Sequence, residues 1–316
     1  MDFLRLLEGI RTPWLDKIML VITALGSEAV FLAIALTLIW CVDKKKGYYA
    51  LTVCFVGTII NQFLKIVCKV PRPWVRDTSF GAVEAAKADA GGYSFPSGHT
   101  QNIMGLFGSL FFDTKDKAMR IISVIIIILV SFSRMYLGVH TPADVLTSLG
   151  IGLVLVIGIG YFMRLCDKKK NLFYYAVIFM ALISLAFAIF SVTFNFGADV
   201  DAHNLFECRK NAFTLLGAVL ALCVMYPIEE KYVRFETKAS LPIQLLKLIP
   251  GLAIVVLIKS LLKSPLAALF GTNPVQHTIR YFIIVIFAGL VWPLTFKYFN
   301  KIKFNSNKQI PKQRES

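Results

Sequence analysis

The sequence is poor in charge. Asp, Glu, Lys and Arg make up 17% of its 316 residues, where a soluble domain carries about a quarter. Hydrophobic residues reach 57% and mean hydropathy is +0.67, which argues against a soluble enzyme. Acidic residues are scarcer than basic ones, 19 against 34, leaving a net charge of +15. Such a balance often signals a nucleic-acid partner. Here the lysines cluster in short loops between apolar runs, so no nucleic acid is expected. Histidine occurs four times, and His203 and His277 lie far along the chain from His99 and His140, so no metal is expected. The six cysteines stand singly at 41, 54, 68, 166, 208 and 223. With no CxxC pair, a metal or disulfide framework is not supported. Cys68 and Cys208 fall on one side of the membrane, but a bridge between them is disfavoured. Met1–Trp14 lacks the apolar core and small-residue site of a cleaved leader, and no internal repeat is evident.

Long apolar runs are abundant. They cover Ile18–Val42, Gly47–Cys68, Ser97–Phe112, Met119–Gly138, Thr141–Leu165, Leu172–Phe196, Ala212–Ile228, Ile243–Leu262 and Ile279–Phe299. Each is read as a membrane crossing. The third is short by apolar count and is retained because the loop charges on either side require a crossing there. The expected fold class is all-α: a polytopic helical bundle of about nine transmembrane helices. Residues 1–17 read as an interfacial amphipathic helix, with Phe3, Leu4, Leu7 and Ile10 on one face. Residues 18–196 read as the catalytic core, 197–299 as additional C-terminal helices and 300–316 as a basic cytoplasmic tail. Pro227, Pro250 and Pro293 are expected to kink late spans.

Every second loop is basic: Lys44–Lys46, Lys115–Arg120, Arg164–Lys170, Lys231–Lys238 and the region after Lys297. The positive-inside rule puts these loops in the cytoplasm, the N-terminus outside and the C-terminus inside. Three polar islands then fall on the external face. Ionisable groups at the end of a membrane segment are costly to place, so they are functional candidates by default.

The first island holds Lys65 and, between two prolines, Arg72. The second is Pro96-Ser97-Gly98-His99, where Ser before an apolar helix marks its start. Free amides and the positive dipole end make such a start an anion site, and Gly98 permits close approach. The third runs from Ser133-Arg134 to His140 and Asp144. Four residues apart on a helical turn, His140 and Asp144 meet on one face. The carboxylate then fixes the imidazole tautomer and prepares the ring as a nucleophile. Arg134, Arg72 and Lys65 are suited to phosphate oxygens. Lys69 and Arg76 read as headgroup-facing cations, and Trp74, Tyr93 and Tyr136 as interfacial aromatics that also suit a pocket entrance. Residues 82–89 read either as a short helix over the pocket, within a loop that Gly91-Gly92 hinges, or as a plain surface loop.

Taken together, Lys65, six residues, Arg72-Pro73; Pro96-Ser97-Gly98-His99; and Ser133-Arg134, five residues, His140, three residues, Asp144 resemble the three-part signature of the type 2 phosphatidic acid phosphatase and vanadium haloperoxidase superfamily. The resemblance implies His140 as nucleophile, Asp144 as its orienter and His99 as the acid that protonates the leaving oxygen. It further implies Lys65, Arg72, Ser97, Gly98 and Arg134 as phosphate ligands, with no cofactor. The external N-terminus and nine runs look like glucose-6-phosphatase. The expected function is hydrolysis of a lipid phosphate or diphosphate (polyprenyl diphosphate, phosphatidylglycerol phosphate or phosphatidic acid) at the external face, through a phosphohistidine. The expected partners are that phospholipid or polyprenyl phosphate substrate and the bilayer; the oligomeric state is left open. Alternatives are a glucose-6-phosphatase-like sugar phosphatase, a transporter or lipid-binding protein on the same fold, and a haloperoxidase. Haloperoxidases are soluble, and the late spans lack a paired ionisable set for transport; Glu229, Glu230 and Lys259 read as interfacial.

Overall fold

Short polar residues set the starts of the main helices. Asp43 accepts from the amides of Lys45 and Lys46, Ser27 from Val30, Ser97 from Thr100, Asp116 from Ala118 and Asp201 from Asn204. Each satisfies amides that a helix start leaves unpaired. Thr141 and Asp144 close a reciprocal capping box, which ties a candidate catalytic carboxylate to a helix start. The computed structural model describes residues 1–169 and 171–299. The expected basic tail, 300–316, lies outside the described residues.

The elements are α1 (Asp2–Gly9), α2 (Pro13–Ala24), α3 (Glu28–Thr37), α4 (Lys44–Cys68), α5 (Pro73–Arg76), α6 (Glu84–Lys87), α7 (Gly98–Asp113), α8 (Lys117–Tyr136) and α9 (Pro142–Cys166). They continue with α10 (Leu172–Thr193), α11 (Ala202–Ile228), α12 (Leu241–Leu261), α13 (Lys263–Phe270), α14 (Val275–Ile286) and α15 (Phe296–Phe299). The described residues form an all-α membrane bundle. Helix α7 sits at its centre against α4, α8 and α9, while α11 packs on α10 and α14. Small residues let the central helices approach closely: Gly105 faces Cys54, Gly152 faces Met104 and Gly160 faces Phe112.

All nine apolar runs carry helix. Among the described residues, seven helices are long and apolar enough to cross a membrane, or eight when α2 and α3 count as one span bent by 47°. The expected count of nine also needs α7, which at 16 residues falls short of the roughly 20 that a bilayer core requires. The run Ile18–Val42 is not one helix: it breaks between Ala24 and Glu28, where Ser27 caps a new start. The N-terminal stretch also divides, because Pro13 begins α2. Leu4 and Leu7 of α1 are buried, and Arg5 pairs with Asp77 at 2.7 Å. Helix α1 is therefore docked onto the loop before α6. Pro227 lies inside α11 just before a π-helical stretch at Glu229–Val233, Pro250 lies inside α12, and Pro293 follows a π-helical stretch at Phe287–Val291.

Ion pairs gather the basic loops at one end. Lys45 meets Asp167 at 2.5 Å, Lys46 meets Asp113 at 3.2 Å and Lys44 meets Glu229 at 2.6 Å. The three polar islands sit at the opposite end. Glu229 is 3% exposed and paired, not interfacial as expected. All six cysteines are free.

Candidate active site

The turn between α8 and α9 is built around Gly138, whose φ of 75° suits glycine; a Cβ there would also meet Arg11 and Phe80 within 3 Å. The turn aims His140 inward, and its amide donates to the Arg134 carbonyl at 3.3 Å. His140 is 2% and Asp144 1% exposed. His140 Nδ1 lies 3.3 Å from Asp144 Oδ2. The same oxygen accepts from the Thr141 amide at 2.8 Å and from Ser94 Oγ at 2.6 Å. Three donors on one carboxylate oxygen leave it little freedom to rotate.

On the other side of the ring, Arg72 Nη1 is 3.0 Å from His140 Nε2. A guanidinium only donates, so Nε2 is the acceptor and Nδ1 carries the proton toward Asp144. The lone pair on Nε2 and the Arg72 cation thus converge on one point. Burial first, then the charges of Arg72 and Arg134, hold His140 well below the ordinary imidazole range, so the ring is neutral near pH 7. Arg72 also donates to the carbonyls of Gly92 (3.0 Å), Gly91 (2.9 Å) and Val139 (2.9 Å). Lys65 donates to the Tyr93 carbonyl.

Arg134 is fully buried. Its Nη1 donates to Thr23 Oγ1 at 2.8 Å, while its Nε and Nη2 have no partner among the described residues. His99 follows the start of α7, and its Nε2 likewise lacks a partner. Its charge state acts on His140 along with those of Lys65, Arg72 and Arg134. Ser97 also holds the fold through its main chain. Its amide donates to the Asp144 carbonyl at 3.1 Å, and its carbonyl accepts from Ser148 at 2.8 Å; this joins α7 to α9. The amides of Gly98 and His99 are those the helix start leaves without an internal acceptor. A Cβ on Gly98 would meet nothing closer than Asn61 Oδ1 at 4.0 Å, so packing does not demand glycine there.

All eight residues singled out in the sequence reach this end of the bundle. Three contributors were not foreseen: Ser94 on Asp144, Thr23 on Arg134, and the Gly91–Tyr93 carbonyls. Ser94 had one available signal, its place two residues before the Pro96 motif. The carbonyls had none, because a backbone acceptor has no side-chain signature. Within residues 82–89, Glu84–Lys87 form the short helix α6. Tyr93 and Tyr136 are buried, 6% and 0% exposed, and bond to Asp201 and Asp16, so neither is a belt aromatic. Lys69 bonds Asp199 and the Phe196 carbonyl rather than facing headgroups.

Three buried cations face one buried carboxylate around two imidazoles. Among the described residues no three His, Cys, Asp or Glu side chains gather to hold a metal ion. Comparison with protein families matches residues 46–168 to the PAP2 superfamily and residues 213–304 to the PAP2 superfamily phosphatase transmembrane extension. Undecaprenyl-diphosphatase BcrC of Bacillus subtilis (strain 168) is 33% identical over 161 residues, 49% of this chain and 77% of that protein. The chain belongs to the PAP2 superfamily. Phosphatidylglycerophosphatase B of the same bacterium is 30% identical over 163 residues, 46% of this chain and 74% of that protein. An undecaprenyl-diphosphatase of Sulfolobus acidocaldarius is 28% identical over 152 residues, 48% and 72% of the two chains. No solved structure matches the chain significantly. The PAP2 match spans Lys65 to Asp144 and so contains the whole cluster. As a PAP2-type hydrolase, the protein is a multi-pass membrane phosphatase.

Proposed function

We propose that this phosphatase removes phosphate from a lipid phosphate or diphosphate at the external membrane face through a phosphohistidine on His140 Nε2. The observation that carries the reading is the charge imbalance at this site: Lys65, Arg72 and Arg134 are buried around His140 with the buried carboxylate of Asp144. Buried cations are costly unless an anion balances them, and a phosphate dianion supplies that balance with oxygens suited to guanidinium forks. In the first step His140 Nε2 bonds to phosphorus, the bond from phosphorus to the leaving oxygen breaks, and His99 gives that oxygen its proton. In the second, His99 takes a proton from water, the water oxygen bonds to phosphorus, and the bond to Nε2 breaks. Asp144 stabilises the positive imidazole between the steps. Lys65, Arg72, Arg134, Ser97 Oγ and the Gly98 and His99 amides hold the equatorial oxygens, where charge is stabilised in the transition state.

Several features support the membrane arrangement. The basic loops lie at the end opposite the cluster, so the positive-inside rule puts the cluster outside and the C-terminus inside. Helix α7 completes nine crossings: although short, it is packed on the longer helices α4, α8 and α9. Residues 18–196 form the catalytic unit, with α1 as its cover and 197–299 as an added bundle. The matched relatives whose names specify undecaprenyl diphosphate or phosphatidylglycerophosphate support a lipid substrate. Purified protein should hydrolyse one or more of undecaprenyl diphosphate, phosphatidylglycerol phosphate and phosphatidic acid in detergent, with competitive inhibition by vanadate. Turnover of glucose 6-phosphate with none of the lipids would replace the lipid reading with a sugar phosphatase.

A further inference from the structure

The catalytic end does not stop at the phosphate cluster. Asn61 lies one turn below Lys65 on the same face of α4, and with Gly98 and Gln101 it forms the upper end of a cavity of about 250 Å³. Asn61 and Gln101 are 2% and 1% exposed. Both amide atoms of Asn61 and Nε2 of Gln101 have no hydrogen-bond partner among the described residues. From there the cavity follows α4 from Gln62 to Tyr48, a run of roughly 21 Å at about 1.5 Å per residue. That is about two thirds of a bilayer's hydrocarbon thickness of about 30 Å.

Its character changes along its length. The upper part carries Thr58, Asn102, Asn211 and Thr214; the lower part carries Leu51, Leu222, Met225 and Ile284. The lower end is lined by Phe235, over whose ring Lys44 sits at 3.7 Å while pairing with Glu229. On the side, Glu28 accepts from Tyr281 at 2.6 Å and Lys259 at 3.2 Å, which joins α3 to α14 and α12. One wall comes from α3, α4 and α7. The other comes from α11, α12 and α14, within or next to the residues that match the transmembrane extension.

We propose that this cavity is the channel for the substrate's hydrocarbon tail, and that the C-terminal extension therefore selects tail length and shape. The proposal rests on the lipid-phosphate reading above. A polar mouth beside the phosphate cluster and an apolar shaft fit a molecule with a charged head and a long aliphatic tail. Met225 near the bottom adds a side chain that adapts to different tails.

The test uses Ala218→Phe on α11 and Ala288→Phe after α14. Both alanines line the shaft and are buried, at 5% and 6% exposed. Two substrates are compared: the long-chain lipid phosphate that the wild type hydrolyses fastest, and p-nitrophenyl phosphate, which has no tail. Each variant should lower kcat/KM for the lipid by on the order of tenfold or more and leave p-nitrophenyl phosphate within about twofold. Unchanged lipid turnover in both variants overturns the channel. Equal loss on both substrates would reflect misfolding, so the wild type is also labelled with a phosphonate analogue carrying a diazirine at the tail end. Labels on α11, α14 or Tyr48 support the channel, and labels confined to α8 and α9 overturn it. Hydrolysis of p-nitrophenyl phosphate that survives His140→Ala would instead overturn the catalytic reading and leave the labelling result to stand separately.

Discussion

Two regions of this protein bury ionisable side chains, and they do so differently. In the C-terminal bundle two buried charges have partners of their own. Lys247, fully buried, donates to the Glu236 carbonyl at 2.9 Å and lies 5.0 Å from the Phe296 ring centre. Glu229 pairs with Lys44. These two groups lie apart and each is individually partnered. In the core, Lys65, Arg72 and Arg134 converge on His140 and His99, and part of Arg134 remains unpartnered. A buried charge with a private partner is structural; converging like charges store an electrostatic demand that an anionic ligand meets.

The largest effect should come from the proposed nucleophile. His140→Ala is expected to lower turnover by on the order of 10⁴-fold or more, read by steady-state phosphate release. Full activity would detach the core cluster from chemistry. Next, Arg134→Ala should lower kcat/KM by about 10²–10³-fold, whereas Lys247→Met should stay within about twofold, because methionine keeps the packing of the lysine stem. Similar losses from both would erase the contrast between the regions.

Gly98→Ala sharpens the contrast further. The fold tolerates a methyl there and alanine favours a helix, so thermal stability should hold or rise slightly. Activity should fall about tenfold, in keeping with a displaced phosphate oxygen. Unchanged activity would remove α7's start from the phosphate site. The pH profile tests the environment of His140. Its depressed basicity puts the acid limb of kcat/KM below pH 6.5, the ordinary value. The sign also applies to folding: below pH 6.5 the unfolded chain binds a proton at this position that the folded protein excludes, so stability falls as pH drops. The smallest expected change is Ser94→Ala. It removes one hydrogen bond from Asp144, worth about 1 kcal/mol, and should lower kcat about fivefold without moving KM. A shift in KM alone would make Ser94 a binding residue.

Much of the core was legible because its signals are local. His140 and Asp144 are four residues apart and meet across the capped start of α9, Ser97 stands where a helix must start, and apolar runs with alternating basic loops set the bundle's two ends. What escaped depends on partners distant in sequence. Lys247 sits within an apolar run, and neither its burial nor its acceptor can be read there. Glu229 looked like an end-of-helix acid until Lys44, 185 residues away, came to it. Tyr93 and Tyr136 looked interfacial because an aromatic at a span's end has the same sequence signature whether it faces lipid or a packed loop. The single run Ile18–Val42 hid a break, since hydropathy has no sensitivity to a capped serine between two apolar segments.

The sequence by itself determined the candidate chemistry: its cations, two imidazoles and one carboxylate occur in three short motifs at the ends of apolar runs. Only the tertiary structure decided which charges are left unbalanced. It also decided that Gly91–Tyr93 hold Arg72 and Lys65 through main-chain oxygens, and that the added helices form the second wall of a cavity beside the site. Those features arise from contacts between segments far apart in the chain, where burial and the choice of partner set the energy and no local pattern records either.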